Sequence, residues 1–220
     1  MKPDCHDYFI KDGRHLGLYE EMYLICPDPW RIEELGPRLD MRAALLLLNG
    51  REKSVRRFLD IGAGLGLFTS LLTQCLWRSN PEARGLVTDI APSAVARAQQ
   101  RLADPRLEFA ALDIRTLADK PRFPPENFDL LVLAQVLWGL LEDLPRTLAA
   151  LADLLPAGGL MLISQHFFPP GRQAYGAETV AGPEELISFL KPAGLEILET
   201  IECNRAVNHH WAALAHKKAL

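Results

Sequence analysis

The chain has 220 residues, enough for one domain with a full hydrophobic core. Its net charge is −4, and its basic runs, Arg56-Arg57 and Lys217-Lys218, are too short for a broad nucleic-acid-binding face. The N-terminal stretch Met1 to His6 is polar, unlike a signal peptide, and the longest apolar run, Ala43 to Leu48, is too short to span a bilayer, so a cytoplasmic protein without a membrane segment is expected. Cys5, Cys26, Cys75 and Cys203 lack the spacing of a metal site and read as scattered reduced thiols.

Residues 1–50 differ in texture from the rest. They hold three of the four tyrosines and the segment Cys26-Pro27-Asp28-Pro29-Trp30, whose prolines interrupt regular structure. A helix rich in Leu and Ala follows over Arg38 to Leu48. This predicts a helical cap over 1–50 and a main domain over 51–220. From Arg56 onward, strands and helices alternate. Phe58 to Ile61 is a short apolar strand ending at glycines, and Leu67 to Trp77 is a helix. Gly85 to Ile90 is the second strand. Pro92 suits a first helical position, and Ser93 to Leu102 continues that helix. Leu107 to Ile114 is the third strand. Phe128 to Leu137 is apolar throughout, as expected of a strand covered on both faces. A helix over Leu144 to Leu155 stops at Pro156 and Gly158-Gly159, and Leu160 to Ser164 is the fifth strand. After a helix over Pro183 to Leu190, Leu195 to Glu202 and Trp211 to His216 are strands with no helix between them. Such alternation predicts a doubly wound, Rossmann-like α/β fold with seven strands, mostly parallel, whose last two pair antiparallel.

The sharpest feature is Asp60-Ile61-Gly62-Ala63-Gly64-Leu65-Gly66, placed after a strand and opening a helix. Glycines there let the backbone turn tightly and approach a ligand, towards which the helix-start amides point. The spacing Gly-x-Gly-x-Gly departs from the dinucleotide pattern Gly-x-Gly-x-x-Gly, whose third glycine falls at Leu67 here. Asp60 is placed to pair with a cationic ligand group. Asp89 ends the second strand, where a carboxylate accepts hydrogen bonds from ribose hydroxyls, and Asp113 ends the third, in reach of an adenine amino group or else serving as a cap.

These residues resemble the class I S-adenosylmethionine methyltransferases. The segment 60–66 is similar to their first motif, Asp89-Ile90 to their ribose-binding position and Asp113-Ile114 to their adenine-side motif. Phe128 to Val132 and Leu154 to Gly159 are similar to the fourth strand and to the turn before the fifth. The resemblance covers roughly residues 55–220 and implies S-adenosylmethionine as cofactor, held by Asp60, Gly62, Ala63, Gly64, Gly66, Asp89, Ile90, Asp113, Ile114 and Gln135. Asp28-Pro29-Trp30 with the helix after it, and Gln135-Val136-Leu137-Trp138-Gly139-Leu140, resemble the nodulation-type N-methyltransferases, in which an acidic residue is usual at the Gln135 position. That likeness implies Trp30 and Arg42, with Arg38 as the alternative, near the cofactor.

A small-molecule methyl acceptor is the expected partner, its methylated atom O or N. His166, beyond the fifth strand, is the candidate general base, since imidazole titrates near neutral pH. Tyr19 and Tyr23, one helical turn apart, Trp138, Phe167 and Tyr175 are candidate acceptor-binding aromatics. His209-His210 read as structural. Two other readings remain beside enzymatic methyl transfer. One is a nicotinamide-dependent oxidoreductase, against which the glycine spacing speaks. The other is a partner protein that keeps the cofactor pocket without turnover.

Overall fold

The computed structural model describes residues 4–169, 172–173, 175–203 and 209–219. Met1 to Pro3, at the start of the stretch read for targeting, lie outside them. A seven-stranded sheet runs through the middle of the molecule. Its strands are β3 (Arg57–Ile61), β4 (Arg84–Asp89), β5 (Leu107–Ala111), β6 (Leu130–Ala134), β7 (Leu160–Phe167), β8 (Leu195–Cys203) and β9 (His209–Lys217), in the order β5-β4-β3-β6-β7-β9-β8. The first five in that order are parallel, and β9 inserts antiparallel to both β7 and β8. The chain winds outward from β3 through β4 to β5, then crosses to β6 on the other side of β3. The crevice at the carboxyl ends of β3 and β6 is therefore the switch point where such sheets take ligands.

Helices cover both faces. On one face α3 (Leu39–Leu47) and α4 (Leu67–Ser79) bury Met41, Ala44, Leu47, Phe68, Leu72 and Leu76 against Phe58, Leu130, Val132 and Leu162. On the other, α6 (Leu144–Asp153) repeats Leu144, Leu148 and Leu151 at helical spacing and packs with α7 (Pro183–Leu190) over Leu59, Leu131, Met161 and Ile163. Burying each such leucine stabilises the fold by about 1.5–3 kcal/mol. The ring of Phe58 occupies the space beside Gly85 on the neighbouring strand, where a Cβ would lie 2.1 Å from it. A further helix, α5 (Pro92–Leu102), follows β4.

Several element ends differ from expectation. The fourth strand stops at Ala134, because Gln135 takes φ +62° and turns the chain into a short 3-10 segment, Leu137–Gly139. The third stops at Ala111, where Asp113 caps another such segment, Ile114–Ala118. The fifth extends beyond Ser164 to Phe167, and the last begins at His209. Their antiparallel pairing, Phe167 with His209 and His166 with His210, adds ladder bonds that neither sequence segment signals alone.

The cap is built from a two-residue ribbon, β1 (Ile10–Lys11) with β2 (Arg14–His15), and two short helices, α1 (Tyr19–Ile25) and α2 (Ile32–Leu35). The Asp28 carboxylate accepts from the amides of Ile32, Glu33 and Glu34 and so holds the start of α2. Although α3 falls within the first 50 residues, it packs on β7, β8 and β9 as part of the main layer. Cys5 and Cys26 are joined in a disulfide, with Cα atoms 6.2 Å apart, which corrects the expectation of four separate thiols. The cap folds back on itself and brings the two together, and connectivity of this kind cannot be deduced from spacing. Cys75 and Cys203 are free. No helix among the described residues is long and apolar enough to cross a membrane.

Candidate active site

A cavity of about 760 Å³ opens at the carboxyl ends of β3, β4 and β6 and is roofed by the cap. Its floor is the glycine loop. Gly62 and Gly64 both have positive φ, +66° and +55°. A Cβ on Gly62 would lie 2.5 Å from the Val136 side chain, and one on Gly64 would lie 2.7 Å from the Tyr23 hydroxyl. Any side chain at either position would be strained and would also fill the space between loop and roof. Gly66 opens α4 and faces Leu102 and Ala98 of α5, so its role is packing, and the structure does not bring it to the cavity.

Two carboxylates stand beside the loop. Asp89 is buried, with one oxygen accepting from the Gly64 amide at 2.8 Å and the other from the Ala91 amide at 2.9 Å. Burial raises its pKa above the ordinary aspartate range, while those amide bonds oppose the shift. Each oxygen keeps lone-pair capacity for a ligand hydroxyl. Asp60 is buried at the end of β3. The Thr69 hydroxyl donates to its Oδ2 at 2.6 Å, and its Oδ1 has no hydrogen-bond partner. Desolvation pushes the Asp60 carboxyl up to about 7. Asp113 lines the cavity with both oxygens held by Arg115, so the capping role and the cavity-facing role coexist.

Ala63, Ile90, Ile114, Gln135 and Trp30 also line the cavity. Trp30 donates from Nε1 to the Tyr23 hydroxyl at 2.9 Å, which sets both rings over the glycine loop. Tyr19, bonded to His15 at 3.1 Å, lies above Gly139. The two tyrosines therefore face the loop and the strand-end acids. At the other end are Trp138, His166 and Tyr175, the last stacked on His15. Phe167 belongs to the core, 1% exposed beneath Trp138 and Trp211, because strand alternation turns it away from the cavity. Its neighbour Phe168 lines the cavity instead. Arg42 is exposed, donates to the Pro37 carbonyl and does not reach the cavity, whereas Arg38 does. Side chains on a helix lean towards its N-terminus, and the start of α3 is its cavity end.

One cluster was not anticipated from sequence. Asp40, fully buried near the start of α3, accepts from the Gln135 amide nitrogen, from the Ser164 hydroxyl at 2.5 Å and from His210 Nδ1 at 2.6 Å, with Arg38 at 3.8 Å. The available signal was an acid, Asp40, on the helix face whose other members, Ala44 and Leu47, are apolar and buried, where burial requires polar partners. His209 pairs with Glu202, and no group of His, Cys, Asp and Glu among the described residues has metal-binding geometry.

The chain is similar to several known proteins. A family model described as a methyltransferase domain matches residues 59–161. Nodulation protein S of Sinorhizobium fredii (strain NBRC 101917 / NGR234) is 26% identical over 193 residues, spanning 83% of this chain and 79% of that protein. The solved N-methyltransferase NodS from Bradyrhizobium japonicum WM9, in complex with S-adenosyl-L-homocysteine, is 25% identical with a TM-score of 0.67 and covers 91% of this chain and 97% of its own. Fumosorinone synthetase of Cordyceps fumosorosea (strain ARSEF 2679) is 34% identical over 113 residues, half of this chain, but the chain spans 3% of that far longer protein. The residues present fit S-adenosylmethionine. The unpaired Asp60 oxygen suits its ammonium, the Asp89 carboxylate suits ribose hydroxyls, and the glycines leave room where side chains would intrude. The chain is a class I S-adenosylmethionine-dependent methyltransferase that resembles nodulation protein S.

Proposed function

We propose that the chain methylates a nitrogen or oxygen atom of a small molecule. The observation that carries this reading is the extent of the cavity. At about 760 Å³ it lies within the range that takes small molecules, and it runs from the glycine loop to a second wall of Trp138, His166, Phe168 and Tyr175. The similarity to an N-methyltransferase supports nitrogen as one of the two acceptor atoms.

When bound, S-adenosylmethionine supplies a sulfonium methyl: the acceptor's lone pair forms the new bond to carbon while the C–S pair leaves with sulfur, giving S-adenosylhomocysteine. Asp60 would hold the ammonium through Oδ1, and the glycine-loop amides would meet the adjoining polar atoms. Arg38, which lines the cavity where Arg42 does not, would serve the carboxylate, with Trp30 and Tyr23 closing the roof. Asp89 would hold the ribose, and Ile90 and Ile114 would receive the base beside Asp113. The cap excludes water and fixes the acceptor in line with the methyl, which is most of what this chemistry needs. His166 takes the proton released by a hydroxyl acceptor or by a newly methylated amine.

Calorimetric titration with S-adenosylmethionine and S-adenosylhomocysteine tests the cofactor half. Micromolar binding that is lost in Asp89→Ala is expected, and ligand-stripped protein that binds neither compound refutes the reading. Screening small amines, phenols and alcohols for release of S-adenosylhomocysteine tests the other half. His166→Asn is expected to lower turnover by roughly 10²–10⁴-fold while leaving cofactor affinity unchanged.

A further inference from the structure

Gln135 occupies an unusual place. It follows β6 at the switch point, beside Val136, whose side chain abuts Gly62, and it lines the cavity between the glycine loop and the His166 wall. Its backbone has φ +62°, a left-handed conformation that strains a residue with a side chain and persists only where the surroundings impose it. Two bonds impose it here. The Gln135 amide donates to the Ser164 carbonyl at 2.8 Å, and the side-chain Nε2 donates to Asp40.

Asp40 decides which end of the Gln135 amide points where. A carboxylate offers only acceptors, and it is surrounded by three donors: Gln135 Nε2, the Ser164 hydroxyl and His210 Nδ1. With nitrogen turned to Asp40, the Gln135 group left for the cavity is the carbonyl oxygen Oε1, which makes no hydrogen bond within the described residues. We propose that Asp40 is a positioning residue that aims Gln135 Oε1 into the cavity, and that this oxygen accepts a hydrogen bond from the atom being methylated, whose proton His166 takes. The proposal rests on the methyl-transfer reading above and narrows its substrate class to amines, amides and hydroxyl compounds, whose nucleophile carries a hydrogen. A carboxylate or thiolate acceptor brings none and sets its lone pairs against those of Oε1. As the new bond forms, the nucleophile becomes more positive and its hydrogen a stronger donor, so the contact strengthens towards the transition state.

Sinefungin is the probe, because it carries a primary amine where the cofactor carries its reactive methyl. S-Adenosylhomocysteine has nothing there and serves as the reference. Both are titrated calorimetrically into the full chain. In Gln135→Met, which keeps the length of the side chain but removes the acceptor, the affinity for sinefungin relative to S-adenosylhomocysteine is expected to fall roughly tenfold or more. Asp40→Leu, which releases the Gln135 amide, is expected to lower the same ratio. An unchanged ratio in Gln135→Met overturns the proposal, whereas failure of the wild type to bind S-adenosylhomocysteine overturns the methyl-transfer reading itself. Should Asp40→Leu not fold, the wild-type NMR spectrum reads the positioning role directly. An Nε2 proton of Gln135 shifted downfield and slow to exchange supports it, and exchange at the rate of a free amide overturns it.

Discussion

Replacing Asp60 with Asn separates what this residue does to the fold from what it does for the ligand. The carboxyl is buried and pushed up to about 7 from 3.8, foremost by desolvation. A carboxyl with a raised pKa contributes stability that is fully present below 3.8 and is lost as pH climbs through about 7. The gap corresponds to roughly 4 kcal/mol once the group is ionised. Asn keeps an oxygen for the Thr69 hydroxyl and cannot ionise. Ligand-free Asp60→Asn is therefore expected to melt on the order of 10 °C above the wild type at pH 8, from about 2–4 °C per kcal/mol at this chain length, and close to it at low pH. Binding shows the opposite sign. A cationic ammonium needs the ionised carboxylate, so wild-type affinity for S-adenosylhomocysteine should be about tenfold weaker at pH 6 than at pH 8. The variant should bind more weakly than the wild type at pH 8, with that pH dependence lost. Scanning calorimetry and titration calorimetry at the two pH values measure both. A variant that is less stable than the wild type at pH 8, or that keeps the tenfold pH dependence, refutes the assignment of Asp60 as the ammonium partner.

Three further outcomes follow from packing and charge. Gly85→Ala drives a methyl group into the Phe58 ring and is expected to lower stability by about 1–3 kcal/mol in chemical denaturation without changing cofactor contacts. Gly62→Ala combines a strained backbone with a collision at Val136 and is expected to abolish measurable S-adenosylhomocysteine binding while circular dichroism still reports a folded chain. Arg97→Ala removes bonds from α5 to the Tyr23 and Pro27 carbonyls of the cap. It is expected to speed proteolysis within residues 4–38 but leave the sheet protected in hydrogen exchange.

The parts of the fold that sequence exposes are those written in local pattern. The glycine spacing after β3, the apolar run of β6 and the proline at the start of α5 each act within a few residues. What escaped reading is set between distant segments. The lengths of β7 and β9 come from their mutual pairing. The Cys5–Cys26 bond depends on how the cap folds back. Arg38 and Arg42 lie one turn apart on the same side of α3, and only the direction of the helix relative to the cavity separates them. Asp40 meets partners 95, 124 and 170 residues away along the chain, a distance over which no motif extends. Asp113 was legible as either a cap or a cavity residue, and its structure accommodates both.

The way the cap is fastened has a consequence for exchange of ligands. Glu20 accepts from the Ser93 amide and hydroxyl at the start of α5, Arg97 reaches the Tyr23 and Pro27 carbonyls, and Arg101 pairs with Glu33. The helix that follows Asp89 thus also carries the roof over it, so floor and cover share one mounting. Its ionised ties lie partly in solvent, where dissolved salt competes with them, while the sheet below is held by apolar contact that salt leaves intact. Ionic strength therefore acts as a dial on the door of this site and leaves the walls as they are.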